Sequence, residues 1–448
     1  MMRMMIISDA LYQEGKTVYL KKGISFPVNN FTDFRIKMLN WVNRFNIFCF
    51  LDNQQYNFSA SAFECLVAAG CKKKIEVNAG NAFEILEQFC AVNKNEWLFG
   101  HLGYDIKNET ELLSSNNFDG IGFSDMHFFI PEIVLQLDQT AVHIFCESGA
   151  EEIFKQISAN PAVIAVNKNS PITIINRIEK NEYLSIIEKL RHHILRGDCY
   201  EINFCQEFFA ENAKLDPLFF YDQLSQLSPN PFSVFYKIDD KFCCCASPER
   251  YLKRSGNRIF SQPIKGTSKR NLTSRDQDEE QKQYLLKSSK EKSENVMVVD
   301  LVRNDLSRIC SEGSVKVDEL FGLYSFPQVH QMISTVSGEV RPDLSAAVIF
   351  KECFPMGSMT GAPKIKVMQL IEQYEKTRRG LFSGTIGYIN PDGDFDFNVV
   401  IRSLLYNATK QYVSFQTGSA VTYYSDANKE YEECLLKAAA MMKIFGKD

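Results

Sequence analysis

Two long hairpins in the second half of the chain constrain its fold more than any other feature. Residues Arg250 to Ile264 read as a strand, a Ser255-Gly256-Asn257 turn and a returning strand. Residues Leu381 to Leu405 repeat the pattern around Asn390-Pro391-Asp392-Gly393, a set suited to a chain reversal. Helices are expected between and around them: one after Ser274, one over about Ser293 to Cys310 closed near Gly313, and one from Pro363 to about Gln373. Another spans about Glu179 to Arg196, with Tyr183, Ile186, Ile187 and Leu190 at i, i+3, i+4 and i+7 and Gly197 where it would stop. A last helix follows the capping residues Ser425 and Asp426 and runs to about Phe445. Antiparallel hairpins mixed with helices point to an α+β fold rather than a doubly wound parallel sheet.

Residues 1 to about 165 alternate short apolar strands with turns, as at Phe45–Leu51, Glu96–Gly103 and Phe128–Leu137, and carry no catalytic pattern. The polar stretch Asn167–Pro171 is the expected boundary between an N-terminal region, 1–165, and a catalytic region, 172–445. The 50 basic and 55 acidic residues are mixed along all 448 positions, so no Lys/Arg stripe marks a nucleic-acid partner. No apolar run approaches the roughly 20 residues of a membrane helix, and the first ten residues do not resemble a secretory signal. A cytoplasmic protein without a membrane partner is expected. The 13 cysteines, including Cys243, Cys244 and Cys245, form no C-x-x-C pair and read as free thiols packed as small hydrophobes.

Chemistry-bearing residues gather in the second region. The arms of the first hairpin bring Glu249 and Lys265 roughly opposite each other. They fit a cross-strand ion pair, and equally an acid with a nucleophile, provided the lysine pKa is lowered enough to free its lone pair. Gly266 would let a substrate approach the backbone. The segment Gly357-Ser358-Met359-Thr360-Gly361-Ala362-Pro363-Lys364 opens a helix and reads as an anion site or a plain capped turn; it lacks the G-K-[ST] ending of a phosphate loop. Glu294 on one helix, and Glu430, Glu433 and Lys437 along one face of the last, offer oxygen ligands suited to Mg²⁺, or a solvated face with an ion pair. His330 is one of six histidines and stands among apolar residues, where a satisfied structural group or a catalytic base would both fit. Arg402 fits a carboxylate clamp or an edge charge facing water.

Taken in order, these segments resemble the chorismate-utilising enzymes, and among them the aminodeoxychorismate synthase component I group. The blocks that carry the resemblance are GDCYEINFCQ from Gly197, SPER from Ser247, PIKGT from Pro263, ENVMVVDLVRNDL from Glu294, HQMISTV from His330, GSMTGAPK from Gly357, GTIGYI from Gly384, VVIRSL from Val399 and KEYEECLLKA from Lys429. They cover residues 180 to 445, with Gly103-Tyr104-Asp105 as the best block of the looser first third. The resemblance implies two antiparallel sheets packed as a sandwich with flanking helices, as in anthranilate synthase component I.

It also implies roles. Glu249 would be the general acid for the departing ring hydroxyl of chorismate, and Lys265 the nucleophile that forms a covalent adduct at carbon 2. Ammonia would then add at carbon 4 to give 4-amino-4-deoxychorismate. Glu294 and Glu433, with Glu430 through water, would hold Mg²⁺. Thr360, Tyr388, Arg402, Lys437, Thr267 and the backbone at Gly418 would hold substrate. His330 matches a histidine that assists aromatisation in anthranilate synthases. Lys265 separates the two activities, because anthranilate synthases resemble this chain but carry alanine there. Glu201 departs from the glutamine usual in amino-transferring members and suggests a carboxylate that orients or deprotonates ammonium. Ala420 stands where the family tends to repeat glycine, and its methyl group is expected to be tolerated.

No glutamine-hydrolysing centre is legible in the sequence, so the resemblance implies ammonia from a separate glutamine amidotransferase subunit in a heterodimer. A separate lyase would take the product to 4-aminobenzoate and folate. The alternatives are anthranilate synthase component I, in tryptophan biosynthesis, and a non-catalytic chorismate-binding subunit.

Overall fold

Strand geometry explains the run of three cysteines and, with it, the layering of the molecule. Cys243, Cys244 and Cys245 lie in the strand Lys241–Ser247, where successive side chains point to opposite faces. Cys244 enters a core shared with Phe48, Phe235, Tyr221 and Leu224 under the flanking helices. Cys243 and Cys245 enter a second core with Leu252 and Phe397, which belong to another sheet. All thirteen cysteines are free.

The computed structural model describes residues 5–6, 23–56, 63–111, 113–165, 172–326 and 329–446. Among them, 13 strands form one antiparallel sheet and 10 form the second, with helices on the flanks. This is the expected α+β sandwich. The proposed boundary at Asn167–Pro171 lies outside the described residues. Strands from both sides of it pair in both sheets: Ile47–Asp52 with Phe232–Ile238 in the first, and Leu98–Leu102 with Thr385–Ile389 in the second.

Three expectations about strands need correction. Phe128–Leu137 is two strands in different sheets, Met126–Ile130 and Ile133–Leu137, divided at Pro131, which has no N–H for a ladder. The second hairpin pairs Thr385–Ile389 with Phe395–Asn398, and the chain then crosses to the other sheet as Ser403–Asn407. Arg402 therefore sits in the crossover with φ +49°, not within a strand. The first hairpin, Arg250–Ser255 with Arg258–Gln262, also ends early. Past Pro263 the chain becomes a new strand, Ile264–Lys269, paired with Val329–Glu339.

The helices follow their capping signals. Ser274 and Asp426 cap the helices Arg275–Lys287 and Ala427–Ile444 through their side-chain oxygens. The helix expected from Ser293 begins earlier, as Ser289–Ser307, because the Ser288 side chain accepts from the Glu291 N–H. The segment expected to open a helix at Gly357 first makes a short turn and a two-residue strand, Gly361–Ala362, against Glu201–Ile202. The helix itself is Lys364–Tyr374.

Candidate functional site

Where the two sheets come together, a lysine from one meets a glutamate from the other. Lys265 lies on Ile264–Lys269 and Glu201 opens the strand Glu201–Ala210. The Lys265 Nζ stands 2.8 Å from Glu201 Oε1, with the side chains 12% and 2% exposed. Burial alone would lower the lysine pKa, but Glu201, Glu294 and Glu249 outweigh it and hold the amine well above its ordinary value. This corrects the sequence expectation of a depressed lysine: in this arrangement Lys265 is an ammonium and must lose a proton before it can attack.

Glu249 reaches the same space from the turn after the strand Lys241–Ser247. Its backbone N–H donates to the Ser247 hydroxyl at 3.1 Å. Burial pushes its carboxyl up to about 7, opposed by a hydrogen bond from Ser358 and by the Lys265 charge. Near neutral pH a large share of Glu249 is thus the acid form, ready to donate.

Helix Ser289–Ser307 supplies Glu294, and Ala427–Ile444 supplies Glu430 and Glu433. Burial pushes Glu294 up to about 7. Glu433 pairs with Lys437 at 2.7 Å, and that charge holds it below its usual range despite burial. Lys290 is half-exposed; burial would lower its pKa, but Glu294, Glu430 and Glu433 raise it. Glu294 Oε1 and Glu430 Oε2 are buried without a hydrogen-bond donor among the described residues. Buried carboxylate oxygens lacking donors suit a hard cation such as Mg²⁺, which takes one or two carboxylates and completes its shell with water and substrate oxygens. Among the described residues no three acidic, His or Cys side chains form a ready-made cage. The residues therefore fit a cation held jointly with substrate.

The other expected residues divide. Arg402 is positioned near Glu249 and Tyr56, and no carboxylate pairs with it among the described residues. Lys437 donates to the Gly418 carbonyl at 3.0 Å, joining the last helix to the strand Tyr412–Val421. Thr360 is fully buried, and its hydroxyl donates into its own turn, to Met356 and Gly357 carbonyls. Thr267 is exposed beside Gln331. Tyr388 packs against Trp97, Phe99 and Phe63. His330 has both ring nitrogens engaged, by Ser325 at 2.8 Å and Asp278 at 3.1 Å, so neither is free for a substrate in this arrangement. Ala420 lies in regular strand opposite Asn203, with no left-handed backbone.

Two residues given no individual role in the sequence complete the site. Asn295 donates to the Lys265 carbonyl at 3.5 Å and accepts from Ser334 at 2.6 Å. Its place beside Glu294 on a helix was the available signal. Gly361 is held at φ +140°, and a Cβ there would lie 2.1 Å from the Glu201 carbonyl oxygen. Gly361→Ala is therefore expected to part the turn from the Glu201 strand. A loss of about 2 kcal/mol in urea unfolding, together with reduced activity, is the expected result; unchanged values of both would refute this account.

Known proteins resemble this chain over most of its length. The family model described as chorismate binding enzyme matches residues 47–443. The chain is 33% identical over 336 residues to aminodeoxychorismate synthase component 1 of Klebsiella aerogenes, covering 75% of this chain and 74% of that one. It is 31% identical over 366 residues to anthranilate synthase component 1 of Aquifex aeolicus (strain VF5), covering 77% and 73%. Among solved structures, anthranilate synthase component I from Streptococcus pneumoniae TIGR4 aligns with a TM-score of 0.74 at 26% identity, covering 86% of this chain and 93% of that one.

Proposed function

The chain belongs to the chorismate-binding enzymes, and from that premise we propose that it replaces the ring hydroxyl of chorismate by an amine through an adduct on Lys265. One observation carries the choice of reaction: a primary amine, buried and 2.8 Å from a carboxylate, stands among the acids Glu201, Glu249 and Glu294. An amine with a carboxylate base beside it supports a nucleophile's role, because an adjacent base can free its lone pair.

Glu249 in its acid form donates a proton to the departing hydroxyl, which leaves as water. The Lys265 amine, once deprotonated, forms the bond to carbon 2 of the ring. Ammonia adds at carbon 4 and Lys265 is expelled as the amine, giving 4-amino-4-deoxychorismate. Glu294 and Glu433, with Glu430 behind them, would hold Mg²⁺, which supplies positive charge for a substrate carboxylate. Arg402 offers a second cation for the other. Ammonia comes, in this reading, from a separate glutamine amidotransferase subunit, and the product leads to 4-aminobenzoate and folate.

Anthranilate formation is the second reading, favoured by the relative of that name. The two are separated by incubating purified protein with chorismate, Mg²⁺ and ammonium salt and reading products by mass spectrometry. The expected product keeps the enolpyruvyl group and carries an amine in place of the hydroxyl. Release of pyruvate with fluorescent anthranilate would overturn the choice.

A further inference from the structure

The Lys265 ammonium must lose a proton before it can attack, and one group is placed to take it. Glu201 Oε1 is 2.8 Å from Nζ, and no other carboxylate among the described residues is within ion-pair distance of that nitrogen. Glu249 is unsuited, because the leaving hydroxyl needs the proton that it carries. Glu294 is unsuited because it lies beyond ion-pair distance of the Lys265 Nζ, and its Oε1 is instead 3.7 Å from the Lys290 ammonium.

The position of Glu201 is fixed by backbone on both sides. Glu201 and Ile202 pair with Ala362 and Gly361, and Ile202 pairs with Val421. Its second oxygen, Oε2, is buried and has no hydrogen-bond partner among the described residues. The amine is thus the one donor on this carboxylate among the described residues, and the contact gives a direct path for a proton from Nζ to Oε1. A glutamine at this position would place an amide against Nζ and has no basic site to accept a proton.

We propose that Glu201 is a catalytic base that takes the proton of Lys265 before attack and returns it when Lys265 leaves; this rests on the adduct reading given above. The cycle balances. One proton passes from Nζ to Glu201, and the freed lone pair forms the bond to carbon 2. The carbon–oxygen bond at carbon 4 breaks as Glu249 gives its proton, and water departs. Neutral ammonia adds at carbon 4 with its own lone pair, the carbon–nitrogen bond to Lys265 breaks, and the amine regains its proton from Glu201. The new C4 ammonium group then returns a proton to Glu249, so both acids are restored. No oxidant or reductant is needed.

The test uses the full chain with chorismate and Mg²⁺ but no ammonia, quenched rapidly and read by intact-protein mass for adduct on Lys265. Wild type is expected to build the adduct. Glu201→Gln is expected to slow its formation at neutral pH by about 10² or more, the range of a lost general base. Chorismate affinity should stay within about threefold of wild type, since the change is nearly isosteric. Below about pH 7, where Glu249 keeps its proton, the residual rate should rise with pH, about tenfold per unit, as solvent supplies the free amine, and it should level off above that value. Glu201→Asp, which keeps a carboxylate farther away, is expected to fall between the two and serves if the glutamine variant folds poorly. Adduct formation at the wild-type rate in Glu201→Gln would overturn the proposal while leaving the adduct reading intact. Undiminished product from Lys265→Ala would overturn both, so the two failures are distinguishable.

Discussion

Lys265→Ala is expected to lose the aminated product by a factor of about 10⁴ or more, the scale seen when a covalent nucleophile is removed. The loss should fall on turnover, because the amine acts on the reacting carbon rather than on the distal parts of the substrate. The variant also removes the cation that stands among Glu201, Glu249 and Glu294. Leaving those carboxylates unopposed favours their protonated forms, so proton uptake rather than unfolding is the expected response. A urea titration beside the assay separates the two effects. Partial recovery on adding a small primary amine would locate the defect in the missing nucleophile. Appearance of anthranilate would mean that ammonia reaches carbon 2 directly when Lys265 is absent. Undiminished aminated product would remove Lys265 from the mechanism.

Activity should also follow the protonation of Glu249. Its pKa is raised to about 7 by burial, and the acid form is the useful one. The first step should therefore weaken as pH rises past that value. The Lys265 amine pulls the other way, since it becomes easier to free as pH rises. A bell-shaped profile of adduct formation is the signature of the two together.

How far the sequence made this legible depends on the range of the signal. Local signals served well. The Ser274 and Asp426 caps, the Tyr183–Leu190 stripe and the Gly197 stop all mark helices that form as expected. Partnership between distant strands was not legible, because pairing depends on contacts far apart in sequence. Nothing near Pro263 announces that Lys265 belongs to a third strand rather than the hairpin, and nothing near Val399 announces a crossing to the other sheet. Lys265 and Glu249 were visible as chemistry, yet the main partner of Lys265, Glu201, lies 64 positions away. Charge balance was the least legible of all. A buried lysine was expected to be acidic, and the carboxylates brought by three other elements reverse the sign.

Arg379→Met is expected to destabilise the fold by about 3–5 kcal/mol, as breaking one side of a buried ion pair does. Arg379 is 2% exposed and donates to both Glu375 oxygens, at 2.7 and 3.0 Å. It also donates to the carbonyls of Met359 and Asn203, each at 2.7 Å, and lies over the Tyr104 ring at 4.6 Å. One guanidinium thus ties the turn that carries Ser358 and Thr360 to the strand that begins at Glu201. Without it Glu375 keeps a single donor among the described residues, the Cys205 N–H at 2.9 Å, in a site where burial already raises its pKa. The double variant Arg379→Met with Glu375→Gln should recover part of the lost stability in urea unfolding, because no unpaired charge then stays buried. Activity should not recover with it, since the Asn203 and Met359 carbonyls still lack their donor and the Glu201 strand keeps only its backbone bonds to the turn. Equal instability in the single and double variants would mean that the carbonyl bonds, not the ion pair, hold this part of the fold. Recovery of both stability and activity would mean that the clamp plays no part in placing Glu201.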